Sequence, residues 1–151
     1  MRLSTKCSIA LHLLVVLAVF RDDKLTSERL ALSAGCNPVV VRNTLGRLKK
    51  AGLIDIHRGT GGAVLIADPA DVSVWTVFQA VDSLDDLIGM HPSPSLRCPV
   101  GEVIGDLLRK PYGMVAEAVR EAMRAYTLKQ LVADYRATGK HREVVFPDPV
   151  L

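Results

Sequence analysis

The stretch that most constrains what this chain can fold into is residues 37–65, NPVVVRNTLGRLKKAGLIDIHRGTGGAVL. It predicts a helix with its own start and stop signals, followed by two short apolar strands around a basic, glycine-rich turn. Asn37 can cap the helix, and Pro38 takes the first helical position, where its missing N–H costs nothing. Gly52 stands where a helix-ending residue is expected. Between these limits Val41, Leu45 and Leu48 recur at the i, i+4, i+7 spacing of a buried stripe, while Arg42, Asn43, Arg47 and Lys50 project elsewhere. Leu53–Ile56 and Ala63–Ile66 read as the strands of a hairpin tipped by Arg58-Gly59-Thr60-Gly61-Gly62. A helix that presents small polar and basic groups beside such a hairpin has the layout of a winged helix-turn-helix that reads duplex DNA.

The flanking segments fit that frame. Ser4 or Thr5 can cap a first helix running to about Phe20, apolar nearly all round and so expected at the centre of the core. Thr26 caps a short helix with Glu28 in its first turn, stopping at Gly35. Ser73 caps a fourth helix with Val74, Val77, Phe78 and Val81 on one face. Residues 82–97 carry two prolines and few periodic apolar positions and read as a long loop. A long helix is expected from Pro99 to about Tyr126, with a kink or a break into two helices left open at Pro111-Tyr112-Gly113. Thr127 caps a last helix through Tyr135, and the residues after Thr138 show no periodic pattern, as expected of a disordered tail.

Charge is unevenly placed. Residues 1–68 hold 10 Lys/Arg against 5 Asp/Glu, and residues 69–151 hold 9 against 11, which suits one polyanion-binding portion and one portion with another task. The run Ile9–Phe20 imitates the core of a signal peptide. It is interrupted by His12, lacks a small-x-small cleavage site and is far shorter than the roughly 20 residues that span a bilayer, so a buried helix and no membrane partner are expected. Three widely spaced cysteines, Cys7, Cys36 and Cys98, do not form the framework of a small secreted protein, which points to a reducing cytoplasm. No nucleophile–base motif, metal-ligand spacing or phosphate loop is found, so an enzyme is not expected.

These residues resemble the Rrf2 family of bacterial winged-helix transcription regulators. The resemblance rests on Met1-Arg2-Leu3-Ser4-Thr5-Lys6, on Leu48-Lys49-Lys50-Ala51-Gly52-Leu53, on the wing from Arg58 to Ala63 followed by Asp68-Pro69-Ala70-Asp71-Val72-Ser73, and on Cys98-Pro99 before the long helix. It implies a mainly α fold with a small β-hairpin wing, in which a winged helix-turn-helix is followed by a long C-terminal dimerisation helix. It further implies a homodimer on a partly palindromic operator. The chain then divides into a DNA-binding domain over 1–81, a sensing or linker loop over 82–98, a helical dimerisation region over 99–137 and a tail over 138–151. Many members hold an iron–sulfur cluster through three closely spaced cysteines in the loop before that helix. Here the loop offers only Cys98, so the chain resembles the cluster-free branch and no cofactor or metal is expected.

Base readout needs side chains that reach base edges, and phosphate contacts need cations or N–H groups at the flanks. Asn37, Val39, Val40, Arg42 and Asn43 occupy the first turns of the expected reading helix. Arg42 suits guanine, Asn43 suits adenine, and Val39 or Val40 suits a thymine methyl or, equally, the core. Arg58 can enter a minor groove from the wing tip, where Thr60 is a further DNA contact, and Gly59, Gly61 and Gly62 either let the backbone turn tightly and approach phosphate or form an ordinary hairpin turn. Arg2, Lys6, Arg47, Lys49, Lys50 and His57 are phosphate candidates. Cys36 and Cys98 each precede a helix start, a position that favours the thiolate, and across a dimer they could form a disulfide that moves the reading heads. Cys7 is expected in the core, and His12, alone on an apolar helix, as a satisfied core histidine. The leading expectation is a homodimeric repressor whose DNA affinity responds to cysteine oxidation. The alternatives are a regulator controlled by a small ligand and a DNA-binding scaffold with no sensing role.

Overall fold

The most apolar segment of the chain becomes its central helix. In the computed structural model, which describes residues 5–57, 62–84 and 88–140, α1 spans Thr5–Val19 and buries Cys7, Ala10, Leu13, Leu14, Val16, Leu17 and Ala18. Residues on nearly every side of a helix can be buried only if other elements surround it. They do, because α2 (Ser27–Ala34), α3 (Pro38–Lys50), α4 (Val74–Val81) and α6 (Leu128–Ala137) all pack on α1, as does the second strand of the hairpin.

The helix starts are set locally. The Thr26 hydroxyl accepts from the Arg29 N–H at the start of α2, the Asn37 side-chain Oδ1 from the Val39 N–H at α3, and the Ser73 hydroxyl from the Thr76 N–H at α4. At α6 Thr127 and Gln130 form a reciprocal capping box. The buried stripe of α3 is Val41, Leu45 and Leu48, joined by Thr44, whose hydroxyl donates back to the Val40 carbonyl at 2.9 Å.

The hairpin consists of β1 (Ile54–His57) and β2 (Gly62–Leu65), antiparallel, with Ile54 opposite Leu65 and His57 opposite Gly62. Both strands sit one residue closer to the tip than the sequence pattern predicts. The reason is Leu53, whose N–H closes on the Leu48 carbonyl at the end of α3 and whose own carbonyl accepts from Ile66 and Ala67.

Past the loop, α5 runs unbroken from Pro99 to Arg124 through Pro111, which settles the open choice at Pro111-Tyr112-Gly113 in favour of one helix. Pro111 is exposed, as is Leu107 one turn earlier, so the carbonyl that loses its helical partner can be hydrated. Where α5 ends, the chain is tied to the start of α4. The Val74 N–H donates to the Tyr126 carbonyl at 2.8 Å, the Leu128 N–H to Val72 at 2.8 Å and the Lys129 N–H to Pro69 at 2.9 Å. This short antiparallel bridge between Ser73 and Thr127 turns α6 back onto α1. No helix among the described residues is long and apolar enough to cross a membrane.

Candidate nucleic-acid interface

Burial of Val41, Thr44, Leu45 and Leu48 leaves the opposite side of α3 open, and the candidate readers lie there. Val39 is 52% exposed and Val40 40%, which resolves their choice between core and surface in favour of the surface. Asn37, Arg42, Asn43 and Lys50 are also exposed. Val39, Arg42, Asn43 and Lys50 follow the spacing of one helical face. His57, the last residue of β1, is exposed at the base of the wing. Arg2, Arg58, Gly59 and Thr60, together with Gly61, lie outside the described residues.

Three cations on or beside this face already have intramolecular partners. Arg42 pairs with Glu28 of α2 at 3.2 Å, and both side chains are more than half exposed, so the pair is weak and readily exchanged for a stronger acceptor. The Glu28 carboxyl is held below its usual range, mainly by the Glu28 backbone N–H and then by Ser27. Lys49 bonds Asp55 of β1 at 2.8 Å and links the reading helix to the wing; that bond, followed by the Ile56 N–H, holds the Asp55 carboxyl low. Arg47 donates through Nη1 to the Val81 carbonyl at 2.6 Å. Sequence reasoning placed Arg47 on phosphate, and the structure places its guanidinium on an orphan carbonyl at the end of α4. Lys6 lies 3.9 Å from the almost fully buried carboxylate of Asp82, next to the same helix end. Lys6, Val40, Asn43 and Arg47 thus share one small cleft, which brings the start of α1 to the flank of the reading face.

Gly62 has a purpose that the sequence did not disclose. Its φ is +74°, and a Cβ there would stand 2.6 Å from the Leu25 carbonyl oxygen. The adjacent Ala63 N–H donates to that oxygen at 3.0 Å. The glycine lets β2 press against the turn before α2, so the wing is fixed to the helix-turn-helix at its base.

The cysteines differ sharply. Cys7 is buried, and burial, followed by the nearby Asp82 carboxylate, pushes its thiol up to about 11. Cys36 is half-buried against the core. Cys98 is exposed at the N-cap of α5. It makes no formed cap bond, yet the Gly101 and Val100 amides point toward its sulfur and hold the thiol below its usual range. The chain folds over this point, with the Cys98 N–H donating to the Ser95 carbonyl at 3.1 Å. His12 is not a core residue: its ring is exposed, with Nε2 3.0 Å from the Ser33 hydroxyl.

Sequence reasoning also missed Trp75. Its ring is buried, stacks on Phe78 with centroids 5.6 Å apart, and carries Arg120 and Arg124 of α5 at 5.3 and 6.0 Å. It is the main side-chain link between α4 and the end of α5.

A short capped helix, a tight turn, a second helix with an open polar face and an antiparallel hairpin fixed to both define a winged helix-turn-helix regulator that binds DNA. Comparison with known proteins agrees. The Rrf2 family, described as iron-dependent transcriptional regulators, matches residues 3–134, and the chain belongs to that family. YwnA of Bacillus subtilis strain 168, assigned as an HTH-type transcriptional regulator, is 34% identical over 130 residues, covering 86% of this chain and 96% of YwnA. A crystal structure from Lactobacillus plantarum, assigned as a transcriptional regulator, is 28% identical with a TM-score of 0.74, covering 89% of this chain and 91% of that one. CymR, the global cysteine regulator of B. subtilis, shares the fold at 21% identity and a TM-score of 0.62, covering 88% of this chain and 97% of its own. The family and this relative are regulators of transcription, not enzymes.

The description of the family raises the question of iron. Among the described residues no three or more His, Cys, Asp or Glu side chains converge on a point that could hold a metal ion. The loop before α5 has Cys98 as its one cysteine. The donor set does not fit a thiolate-held iron–sulfur cluster.

Proposed function

We propose that this chain is a cytoplasmic, cluster-free homodimeric repressor that holds a partly palindromic operator while reduced and releases it when Cys98 is oxidised. The observation that carries the DNA-reading part is the open face of α3, where Val39, Arg42, Asn43 and Lys50 stand exposed beside a wing fixed at its base. Asn37, Val39, Val40, Arg42 and Asn43 would meet base edges, and Arg42 would exchange Glu28 for guanine. Arg58, Gly59 and Thr60 would enter the adjacent minor groove, with Arg2, Lys6, Lys50 and His57 on phosphates. Arg47 would act chiefly by holding α3 to the end of α4.

In this reading residues 1–81 bind DNA, 82–98 sense, 99–137 bring two copies together and 138–151 form a tail. Dimerisation through α5 is supported by its surface: none of its 26 residues is buried, and Val100, Val103, Leu107, Met114 and Val115 are exposed. Sensing is supported by the lowered thiol of Cys98 at an exposed helix start. Its thiolate would attack a hydroperoxide, displacing an alcohol or water and becoming a sulfenic acid. The Cys36 thiol of the second copy would then condense with it, forming the disulfide and releasing water.

The test is a mobility shift on the DNA upstream of the chain's own coding sequence, at one fixed salt concentration, with reduced, peroxide-treated and Cys98→Ser protein. Specific binding when reduced, release when oxidised and retained binding by the oxidised Cys98→Ser variant are expected. Binding that ignores peroxide would remove the thiol switch and leave the regulator.

A further inference from the structure

A second apolar surface lies away from the reading face. Leu11, Val15 and Val19 of α1 and Leu131 and Tyr135 of α6 line an open cleft of about 640 Å³, floored on the α2 side by the His12–Ser33 pair. That volume falls in the range of about 300–1,000 Å³ typical of occupied pockets. Behind it lies α1, the central helix of the molecule, and the cleft opens along its side between α2 and α6.

What leaves the fold beside this cleft is residues 141–151, HREVVFPDPVL, which lie outside the described residues. At the end of α6 the Thr138 N–H closes on the Tyr135 carbonyl and Gly139 takes φ +64°. A left-handed residue just past a helix reverses the chain instead of letting it continue along the axis. The described chain therefore turns off the α6 axis at Gly139 and ends at Lys140, five residues past Tyr135. The apolar block of residues 141–151, Val144-Val145-Phe146-Pro147, begins four residues past Lys140, a reach of roughly 13–20 Å when extended. The cleft runs along α1 from Ser8 to Phe20, about 18 Å at the helical rise. Phe146 precedes Pro147 and Asp148 precedes Pro149, and a residue before proline favours extended backbone, the form that fits between two helices.

We propose that residues 141–151 dock in this cleft of their own chain, with Val144, Val145 and Phe146 against Leu11, Val15 and Tyr135. The strap would lie on α1 and reach Ser33 of α2, so it would brace the first helix of the turn-helix pair from behind.

Two measurements on the full-length chain test this. Hydrogen exchange should show the amides of 144–151 slowed at least tenfold relative to a free peptide of the same sequence. In a Cys36→Ser/Cys98→Ser background, oxidation of a Val15→Cys/Phe146→Cys pair should give a disulfide within one chain, seen as monomer mass on a non-reducing denaturing gel. Exchange at the free-peptide rate would overturn the proposal and leave the cleft to a small apolar ligand. A dimer-mass band would overturn it in favour of a strap supplied by a second copy. A Phe146→Asp substitution, which alters no residue of the folded body, should release the exchange protection and raise the fluorescence of a bound anilinonaphthalene dye several-fold. Unchanged protection in that variant would place the tail elsewhere.

Discussion

The helices α1 and α5 are the two longest of the molecule and both are rich in apolar residues, yet they end in opposite situations. Seven of the 15 residues of α1 are buried, and none of the 26 of α5. The apolar positions of α1 are spread around its circumference and find partners within the chain on nearly every side. Among the described residues, those of α5 stand on a helix whose main ties lie near its end, through Trp75 and the strand-like bridge to Val72 and Val74. Leu107 is 61% exposed and Met114 66%, on the surface through which the proposed dimer would form. Apolar content alone does not make a core; what decides is whether the partner surface is covalently at hand.

Three perturbations separate the two regions. The largest expected effect is in the body: Phe78→Ala removes a fully buried ring stacked on Trp75, and should cost about 4 kcal/mol. Calorimetry should show the melting temperature falling by roughly 10 °C for a domain of this size. Next, Leu107→Asp with Met114→Asp on α5 should leave melting of the body nearly unchanged but convert a dimer to a monomer in sedimentation, with operator affinity falling about 100-fold, or roughly 2.7 kcal/mol. If instead the double variant melts early and stays dimeric, α5 belongs to the core and the contrast fails. The smallest effect concerns Cys7 of α1. Its thiol is held at about 11 against an ordinary 9.0, so the folded state keeps a proton that the unfolded chain gives up first. The resulting stabilisation is complete below pH 9 and is lost as pH rises toward 11. Denaturant midpoints of the native protein and a Cys7→Ala variant should therefore converge across that interval, whereas the exposed Cys98, whose thiol is lowered, reacts with iodoacetamide first.

Much of the fold was legible because its signals are local. Thr26, Asn37 and Ser73 cap the helices the sequence assigned to them, and Val41, Leu45 and Leu48 are buried as their spacing requires. The capping box of Thr127 and Gln130 is an equally local signal, a Thr-x-x-Gln spacing at the start of α6. What the sequence could not show depends on distant pieces. Trp75 finds its cations some 45 residues downstream, and Arg47 finds its acceptor 34 residues away at the end of α4. His12 is exposed because, among the described residues, no helix covers that side of α1, a matter of packing that no local pattern records. The continuity of α5 through Pro111 follows from the exposure of that turn, where water can take the lost hydrogen bond. Of the interface, the residue types and helical face were readable, whereas the pairings of Arg42 with Glu28 and of Lys49 with Asp55 required the fold.

The bridge between Ser73 and Thr127 bears on the shape of the target. It fixes the end of α5 to the start of α4, and Arg47 fixes the other end of α4 to α3. The direction of the long helix is thereby rigidly referred to the direction of the reading helix. At about 39 Å for its 26 residues, α5 is close in length to one turn of B-DNA, about 34–36 Å. In the proposed dimer joined along it, this helix would act as a caliper: it would set the gap between two major grooves, and the half-site spacing of an operator would be encoded far from any residue that touches a base.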